Sequence, residues 1–573
     1  MKASLILASC LVGSAVMLAS MVRPAQAAAP QITAFSSTGG TSQNKDNDQD
    51  IMYLVAQGDT LTFSATVDEI RETSPIAIRT YEFAEFKPLN VSGEQTADVF
   101  ISDELERTPR HYLQVVGTVK AEGAASVALI LVDVLRREYR GATVNLVGGK
   151  PTEISVDVAQ AAGHPVSLLR GVKLQHQGAP VEVSGLRFVC EDELLPRPDV
   201  VVSGPLDHTS IQKALNSLGT NGGVVYIPAG KYVFGQKVTI PADNVTIYGD
   251  GRDTVIYCRS IPIMVWKRKN VRITRLHFQS RPITDFRGYG GGSKYDPPED
   301  KEKKDSVTNR GLELHDCQNV RVDHCEIELF GLSGMLVRDG AENLIDHCYF
   351  HENFRAGYGY GVDAVYSKAL YIEDNNFENN RHGLAGNGKG DPSPYIARFN
   401  RLVKDATVVK GWKQSDFTSQ QIAAHEIDVH ASGGRVYVHD NYVAMQHGNM
   451  AAGAVMRGNN AWLYRNVFEN MRCGILREKG DGYETWTWEN SFVNCKSKEQ
   501  DTIGQKPPDF KEFAYPYSLN RLGWWPGAKP GSSFAQPKSD SLCAGPADPQ
   551  LLREVANTAF KVSVSSPRPE RLR

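Results

Sequence analysis

The sequence has almost no excess of either charge: 63 basic residues stand against 66 acidic ones in 573, a net of −3. So close a balance offers no basic field for nucleic acid and no polybasic stripe for a membrane surface. Cysteine is scarce, nine in all, with no C-x-x-C pair to hold zinc and no spacing of a compact disulfide framework. Beyond residue 27 no apolar run is long enough to span a bilayer, so a soluble chain without a membrane span is expected. Signals for long helices are also sparse. What is abundant is glycine, 51 residues, which implies many turns.

Residues 1–27 read as a bacterial-type signal peptide. Lys2 supplies the positive start, ASLILASCLVGSAVMLASM the apolar stretch, and Ala25-Gln26-Ala27 the small-residue cleavage site. A secreted or periplasmic protein follows from that pattern. Cys10 would leave with the peptide; Cys317, Cys325 and Cys348 lie on repeated segments and read as buried thiols. Pairing of Cys190 with Cys258 or Cys543 stays open. The length exceeds what one core serves, so two or more domains are expected.

From about residue 244 the chain repeats a phrase: a short strand, an Asn or Cys, then a bulky apolar residue. It reads NVRVDHCEI, NLIDHCYF, LYIEDNNF, YIARFNRL, VYVHDNYV, WLYRNVF and WTWENSF. The markers Cys325, Cys348, Asn375, Asn400, Asn441, Asn466 and Asn490 are spaced by 23, 27, 25, 41, 25 and 24 residues. A period near 25 with two or three strands per repeat means stacked coils. Stacking buries one continuous core and pairs strands in parallel about 4.8 Å apart. The Asn column suits a ladder of side-chain amides at a sharp turn, where Asn tolerates a left-handed backbone. The 41-residue step implies a loop over 401–425, carrying Lys404, Lys410, Trp412 and Lys413, beside the stack.

Upstream, SIQKALNSLGTNGGVVYIPAGKYVFGQKVTIPADNVTIYGDG begins with an amphipathic helix whose Ile211, Ala214, Leu215 and Leu218 share a face, suited to capping an open coil end. This stretch and the repeats resemble the pectate-lyase-like, right-handed parallel β-helix superfamily over about residues 200–497. The resemblance implies an all-β solenoid, in a superfamily that contains lyases, hydrolases, epimerases and adhesins. Residues 31–195 alternate without the period and predict a β-sandwich-like accessory domain, for carbohydrate binding or for packing against the coil. Residues 498–573, rich in Pro, Gly and Ser, predict a loop-rich extension.

Aligning the strand after each marker gives SGMLVRDG, GYGVDAVYS, RHGLAGNG, HEIDVHASGG, GAVMRGNN and CGILREKG. Val362, Leu384, Ile427 and Ile475 then form one inward column, and Asp363 and Asp428 one outward column with Ala385 between. Glu426, Asp428 and His430 share the outward face. His382 and His425 fall side by side on adjacent coils, at a bend where alternation lapses. Arg338, Arg457 and Arg477 gather near the same face, with Lys389 in the glycine-rich loop. That loop has no strand-to-helix context and no Ser/Thr after Lys389-Gly390, so it is not a phosphate cradle; Gly383, Gly386, Gly388 and Gly390 instead suit a backbone approached by a bulky chain.

The step Asp428-Val429-His430 resembles the Asp-Pro-His motif of the alginate C5-epimerases, with Val429 in place of the proline. The resemblance implies that Asp428 and His430 sit in a catalytic groove. A polysaccharide lyase or epimerase acting on a uronic-acid polymer needs a cation to neutralise the uronate carboxylate, a base for the C5 proton, and an acid for the leaving oxygen. Arg381 or calcium serves as the cation, His430 or His382 as the base with Asp428 orienting it, and Tyr358, Tyr360 or Tyr366 as the acid. Asp363, Lys389, His425, Glu426, Arg457 and Arg477 would bind substrate. Three other readings stay open. Asp363, Glu426 and Asp428 suit a two-carboxylate glycoside hydrolase; the solenoid suits a carbohydrate-binding adhesin; His382, His425, Asp428 and His430 suit a metal site, zinc by their types. No cofactor is fixed beyond that calcium candidate. The expected partner is a polysaccharide met by a monomer.

Overall fold

The computed structural model describes the strands Thr66–Glu69, Ile76–Glu82 and Gln95–Ile101. It then describes residues 109–163, 166–280, 309–354, 358–367, 369–387, 394–406, 425–430, 435–457, 460–478, 483–508, 510, 523–529 and 532–535. The signal segment, Cys10, Cys543, Lys389 and the loop residues Lys410, Trp412 and Lys413 lie outside these residues.

The repeats wind into a three-faced parallel coil. One turn consists of Gln318–Asp323, Glu326–Glu328 and Ser333–Arg338. Each pairs in parallel with its counterpart one turn on, Leu344–Asp346, Tyr349–His351 and Tyr360–Val365. The inward column Val362, Leu384, Ile427, Ala454 and Ile475 is in continuous register and fully buried. Burying each such aliphatic side chain contributes about 1.5–3 kcal/mol for the larger ones. The helix His208–Ser217 puts Ile211, Ala214 and Leu215 against this core. Its start is fixed by Asp207, which accepts from the amides of Thr209 and Ser210 at 2.9 and 3.4 Å.

The Asn column forms the amide ladder. Each side-chain N–H donates to the next Asn oxygen: Asn375 to Asn400 at 3.1 Å, then Asn400 to Asn441, Asn441 to Asn466 and Asn466 to Asn490, each at 3.0 Å. The left-handed residue, however, is the one before each Asn: Asp374, Phe399, Asp440, Arg465 and Glu489 have φ of 53–56°. Asn is there for its amide, not for its tolerance of that backbone. The turn is forced on whatever precedes it because the ladder and the next strand leave no other path.

N-terminal to the coil, two antiparallel sheets face each other. One orders Thr66–Glu69, Ile76–Glu82, Val181–Glu193, His111–Ala121 and Thr152–Asp157; the other orders Gln95–Ile101, Leu169–Gly178, Ala125–Asp133 and Glu138–Arg140. Val115, Leu129, Leu131, Val156, Leu174 and Phe188 fill the space between them. This sandwich packs on the coil. Val134, Leu135 and Leu168 cover Val403, Tyr442 and Ala444, Arg137 reaches Asp440 at 2.8 Å, and the His111 ring lies tilted by 38° against His347, centres 4.5 Å apart, beside the stacked His324–His347 pair.

Cys190 and Cys258 do not pair with each other, because one lies in the sandwich core and the other in the coil core. One expectation is corrected here. The interruption expected over 401–425 does not begin at residue 401: Arg401–Asp405 is a regular coil strand, paired with Asn376–Glu378 and Tyr442–Gln446. Lys404 therefore lies inside the fold rather than on a wall. No helix among the described residues is long and apolar enough to cross a membrane.

The ladder makes a stability prediction. Asn400 donates to the Ile372 carbonyl at 2.9 Å and to Asn441, and accepts from the Asn375 backbone and side chain. Asn400→Ala leaves several of these groups buried without partners, so it should cost about 2–4 kcal/mol. Asn490→Ala, at the partly buried end of the ladder, should cost less. Midpoints of denaturant unfolding compare the two.

Candidate active site

The site lies on the face built by Tyr360–Val365, His382–Asn387, Ile427–His430 and Met450–Arg457. Asp428 is its centre. The inward Ile427 and Val429 force Asp428 to the outer side of the sheet, yet neighbouring side chains cover it to 2% exposure. Its Oδ2 has three imidazoles around it: Nε2 of His430 at 3.0 Å, of His425 at 3.1 Å and of His382 at 3.5 Å. Arg457 lies 2.8 Å from Oδ1 and donates to Oδ2 at 3.1 Å, while also holding Glu478. Burial works against ionisation of Asp428, but the contacts with His425 and His430 and the nearby His382 outweigh it. They hold the carboxyl well below the usual carboxylate range.

Below this centre the second layer is locked. His382 aligns with Tyr360 one turn away, and their rings stack at 5.4 Å. His382 and His425 stack at 4.2 Å. Nδ1 of His382 lies 2.8 Å from the His425 carbonyl, which also accepts from Lys404 at 2.8 Å. Burial, then His425 and Arg381, push the His382 imidazole well below its ordinary value; burial also lowers His425 against the pull of Asp428. Arg381 lies over the Tyr360 ring at 6.0 Å; burial lowers its guanidinium while Tyr360 and Asp428 oppose the shift.

Three sequence assignments do not survive. Glu426 was expected on the outer face with Asp428 and His430, but it is fully buried. It precedes the strand, at the bend, where Oε2 accepts from the Gly383 amide at 2.6 Å and Oε1 lies 3.5 Å from Lys404. Burial raises its carboxyl against those two partners. Arg477 pairs with Met456, one position off Arg457, and its guanidinium donates to the Tyr483 carbonyl. Gly383 is not an opening for substrate: a Cβ there would meet Leu402 at 2.7 Å and Glu426 at 2.9 Å, so glycine is required by packing.

The structure brings Arg381, His382, His425, Asp428, His430 and Arg457 together. Asp363 stands two turns away in the Asp428 column, with Ala385 between, at about 9.6 Å of sheet spacing. Burial raises Asp363 to about 6 in spite of Arg310, His430 and Arg338. Lys404 was missed as a site residue. The alternation from inward Leu402 already placed it on the inner side, but the expected loop concealed this.

Residues 232–399 match the family model described as "Right handed beta helix region". The coil is a right-handed parallel β-helix. No curated protein shows a significant match to the chain. Among solved structures, ORF18 of Geobacillus virus E2 is similar at 13% identity and a TM-score of 0.35, over 52% of this chain and 59% of the viral protein, so this chain spans less than two thirds of it. An alginate lyase from Paenibacillus sp. is similar at 15% identity and TM-score 0.33, over 53% of this chain and 99% of its own. The A-module of a mannuronan C-5 epimerase of Azotobacter vinelandii is similar at 16% and 0.30, over 53% and 97%.

Asp363 gives a pH test. Its carboxyl is raised in the folded chain above the unfolded value of about 3.9, so between about pH 4 and 6 the unfolded chain releases a proton that the folded chain keeps. Stability falls through that window. Asp363→Asn should leave stability unchanged near pH 4 and raise it by about 1–2 kcal/mol near pH 8, after allowance for solvent screening. Melting curves across pH read the difference.

Proposed function

We propose that this β-helix protein is a carbohydrate-active enzyme that abstracts the C5 proton of a uronic-acid residue in a polysaccharide, as a lyase or an epimerase. The carrying observation is the unequal treatment of the groups around Asp428. His430 keeps 42% of its side chain exposed, while the carboxylate that orients it is buried and ionised. Asp428 accepts from Nε2–H of His430, which leaves Nδ1 as the basic atom. Arg457 and Arg381 supply positive charge beside it for the uronate carboxylate, and neutralising that carboxylate acidifies C5–H.

In this reading His430 takes the C5 proton, and the electron pair left at C5 forms the C4–C5 double bond as the C4–O4 bond breaks. Asp363, a carboxyl raised to about 6 in the same outer column, gives its proton to O4. An epimerase returns a proton to C5 from the opposite face instead. The fold itself does not choose among these chemistries. A two-carboxylate hydrolase is disfavoured by burial: Glu426 is tied to Gly383 and Lys404, and Asp428 to His430 and Arg457, so neither is placed to activate water or attack a sugar.

The test is a panel of uronate polymers followed by ultraviolet absorbance of the unsaturated product and by deuterium uptake at C5. His430→Ala should lower turnover by about 10²–10⁴-fold, the usual contribution of a positioned base, while its melting temperature stays near that of the parent. New reducing ends without unsaturation or C5 exchange would overturn the proposal in favour of hydrolysis, and full turnover by His430→Ala would overturn the assignment of the base.

A further inference from the structure

His382 presents an unusual contact. A carbonyl oxygen only accepts, so the 2.8 Å contact of Nδ1 with the His425 carbonyl requires the proton to sit on Nδ1. In a neutral imidazole that leaves a lone pair on Nε2. Nε2 is buried, has no hydrogen-bond partner, and faces Asp428 Oδ2 at 3.5 Å. Two acceptors thus point at each other in a site where His382 is fully buried and Asp428 only 2% exposed. Nε2 of His425, on a residue 92% buried (8% exposed), also lacks a directed hydrogen bond and lies 3.1 Å from the same oxygen. An acceptor-lined pocket of this kind needs a cation. A second proton on His382 would fill it only by adding a charge next to Arg381 and Lys404.

We propose that His382 Nε2, His425 Nε2 and Asp428 form a binding site for one divalent transition metal ion of the zinc or cobalt type. The three donor atoms lie within 4.8 Å of one another. Tetrahedral zinc with bonds of 2.0–2.1 Å separates its ligand atoms by about 3.3 Å, which the 3.1 and 3.5 Å contacts bracket. Two imidazoles and one carboxylate suit such an ion better than calcium, which takes oxygen ligands. The Nδ1–H of His382 bonded to a backbone carbonyl is the outer-layer contact that fixes a metal-binding tautomer. Each metal–nitrogen bond lies in the plane of its ring, so loading tilts His425 out of its 15° stack on His382. Asp428 has lone pairs enough for the metal beside His430 and Arg457.

The charge count gives the metal a role. Glu426, Asp428 and Glu478 stand against Arg381, Lys404 and Arg457, three anions to three cations. A divalent ion adds a positive surplus to that balance, with coordination positions left over for an anionic ligand. On the reading of the site as uronate-directed, that ligand is the uronate carboxylate, and His430 remains the base.

The experiment uses the full-length protein stripped with a chelator and titrated with Co²⁺ and Zn²⁺, followed by calorimetry and by the visible absorption of tetrahedral Co²⁺. One equivalent should bind with a tetrahedral spectrum. His382→Ala and His425→Ala should each weaken binding at least 100-fold, and His430→Ala less than 10-fold. Should either alanine variant not fold, His382→Gln and His425→Gln replace it at similar size. No Co²⁺ binding, binding unchanged in the His382 and His425 variants, or tighter binding of Ca²⁺ than of Zn²⁺ would each overturn the site. Uronate turnover that persists in stripped protein would overturn the metal's catalytic role alone. Metal binding with no turnover on any uronate polymer would leave the site standing and remove the uronate reading.

Discussion

The asparagine ladder is the constraint on which the rest of the molecule depends. Each rung satisfies a backbone amide and a carbonyl at a buried corner, for example Asn441 donating to the carbonyls of Ala397 and His439 while accepting from the Asn400 backbone amide. Corner groups without such partners would cost more than the short strands beside them contribute. The ladder therefore fixes one corner per turn, and with it the register by which every residue of one turn lies over its counterpart in the next. A slip of one residue would exchange Ile427 with Asp428 and put a carboxylate into the core.

That register is what makes the site. Asp428, His425 and His430 come from one turn, His382 and Arg381 from the turn before, and Arg457 from the turn after. None could reach the others through local sequence alone. The sheet spacing of about 4.8 Å brings side chains of adjacent turns into direct contact. The buried pair Lys404–Glu426 supports this from beneath. Lys404 donates to the carbonyls of both Arg381 and His425, so it ties the two histidine-bearing bends together.

The sandwich stiffens a different part of the coil. Glu193, at the end of its last long strand, sits between Arg272 and Arg321, which in turn hold Asp323 and Asp346; all are buried. The arginines raise the stakes on both sides: with Arg272 and Arg321 present, burial of Glu193, Asp323 and Asp346 is compensated, and their carboxyls are held below the ordinary range. Removing one partner would leave a buried charge unpaired. The accessory domain thus packs along the coil, with its His111 ring set against the stacked pair of His324 and His347.

Periodicity alone determined that the chain winds in coils, because a phrase recurring near every 25 residues has few ways to bury its apolar positions. It also determined the inward column through Val362, Leu384, Ile427 and Ile475, since strand alternation and equal spacing leave one alignment. It named most residues around Asp428 for the same reason. What it could not decide was burial. Alternation gives the side of the sheet on which a residue lies, not what neighbouring turns place over it, so Glu426 and Asp428 read as exposed carboxylates. Nor could spacing show that Arg401–Asp405 continues the coil, or that Lys404 turns inward to two carbonyls, because a long gap between markers does not say where within it the insertion begins. The left-handed corners fell one residue earlier than composition suggested. Whether a carboxylate is ionised, an imidazole neutral or an acceptor left without a proton depends on atoms brought together across turns, and only the tertiary structure supplies those distances.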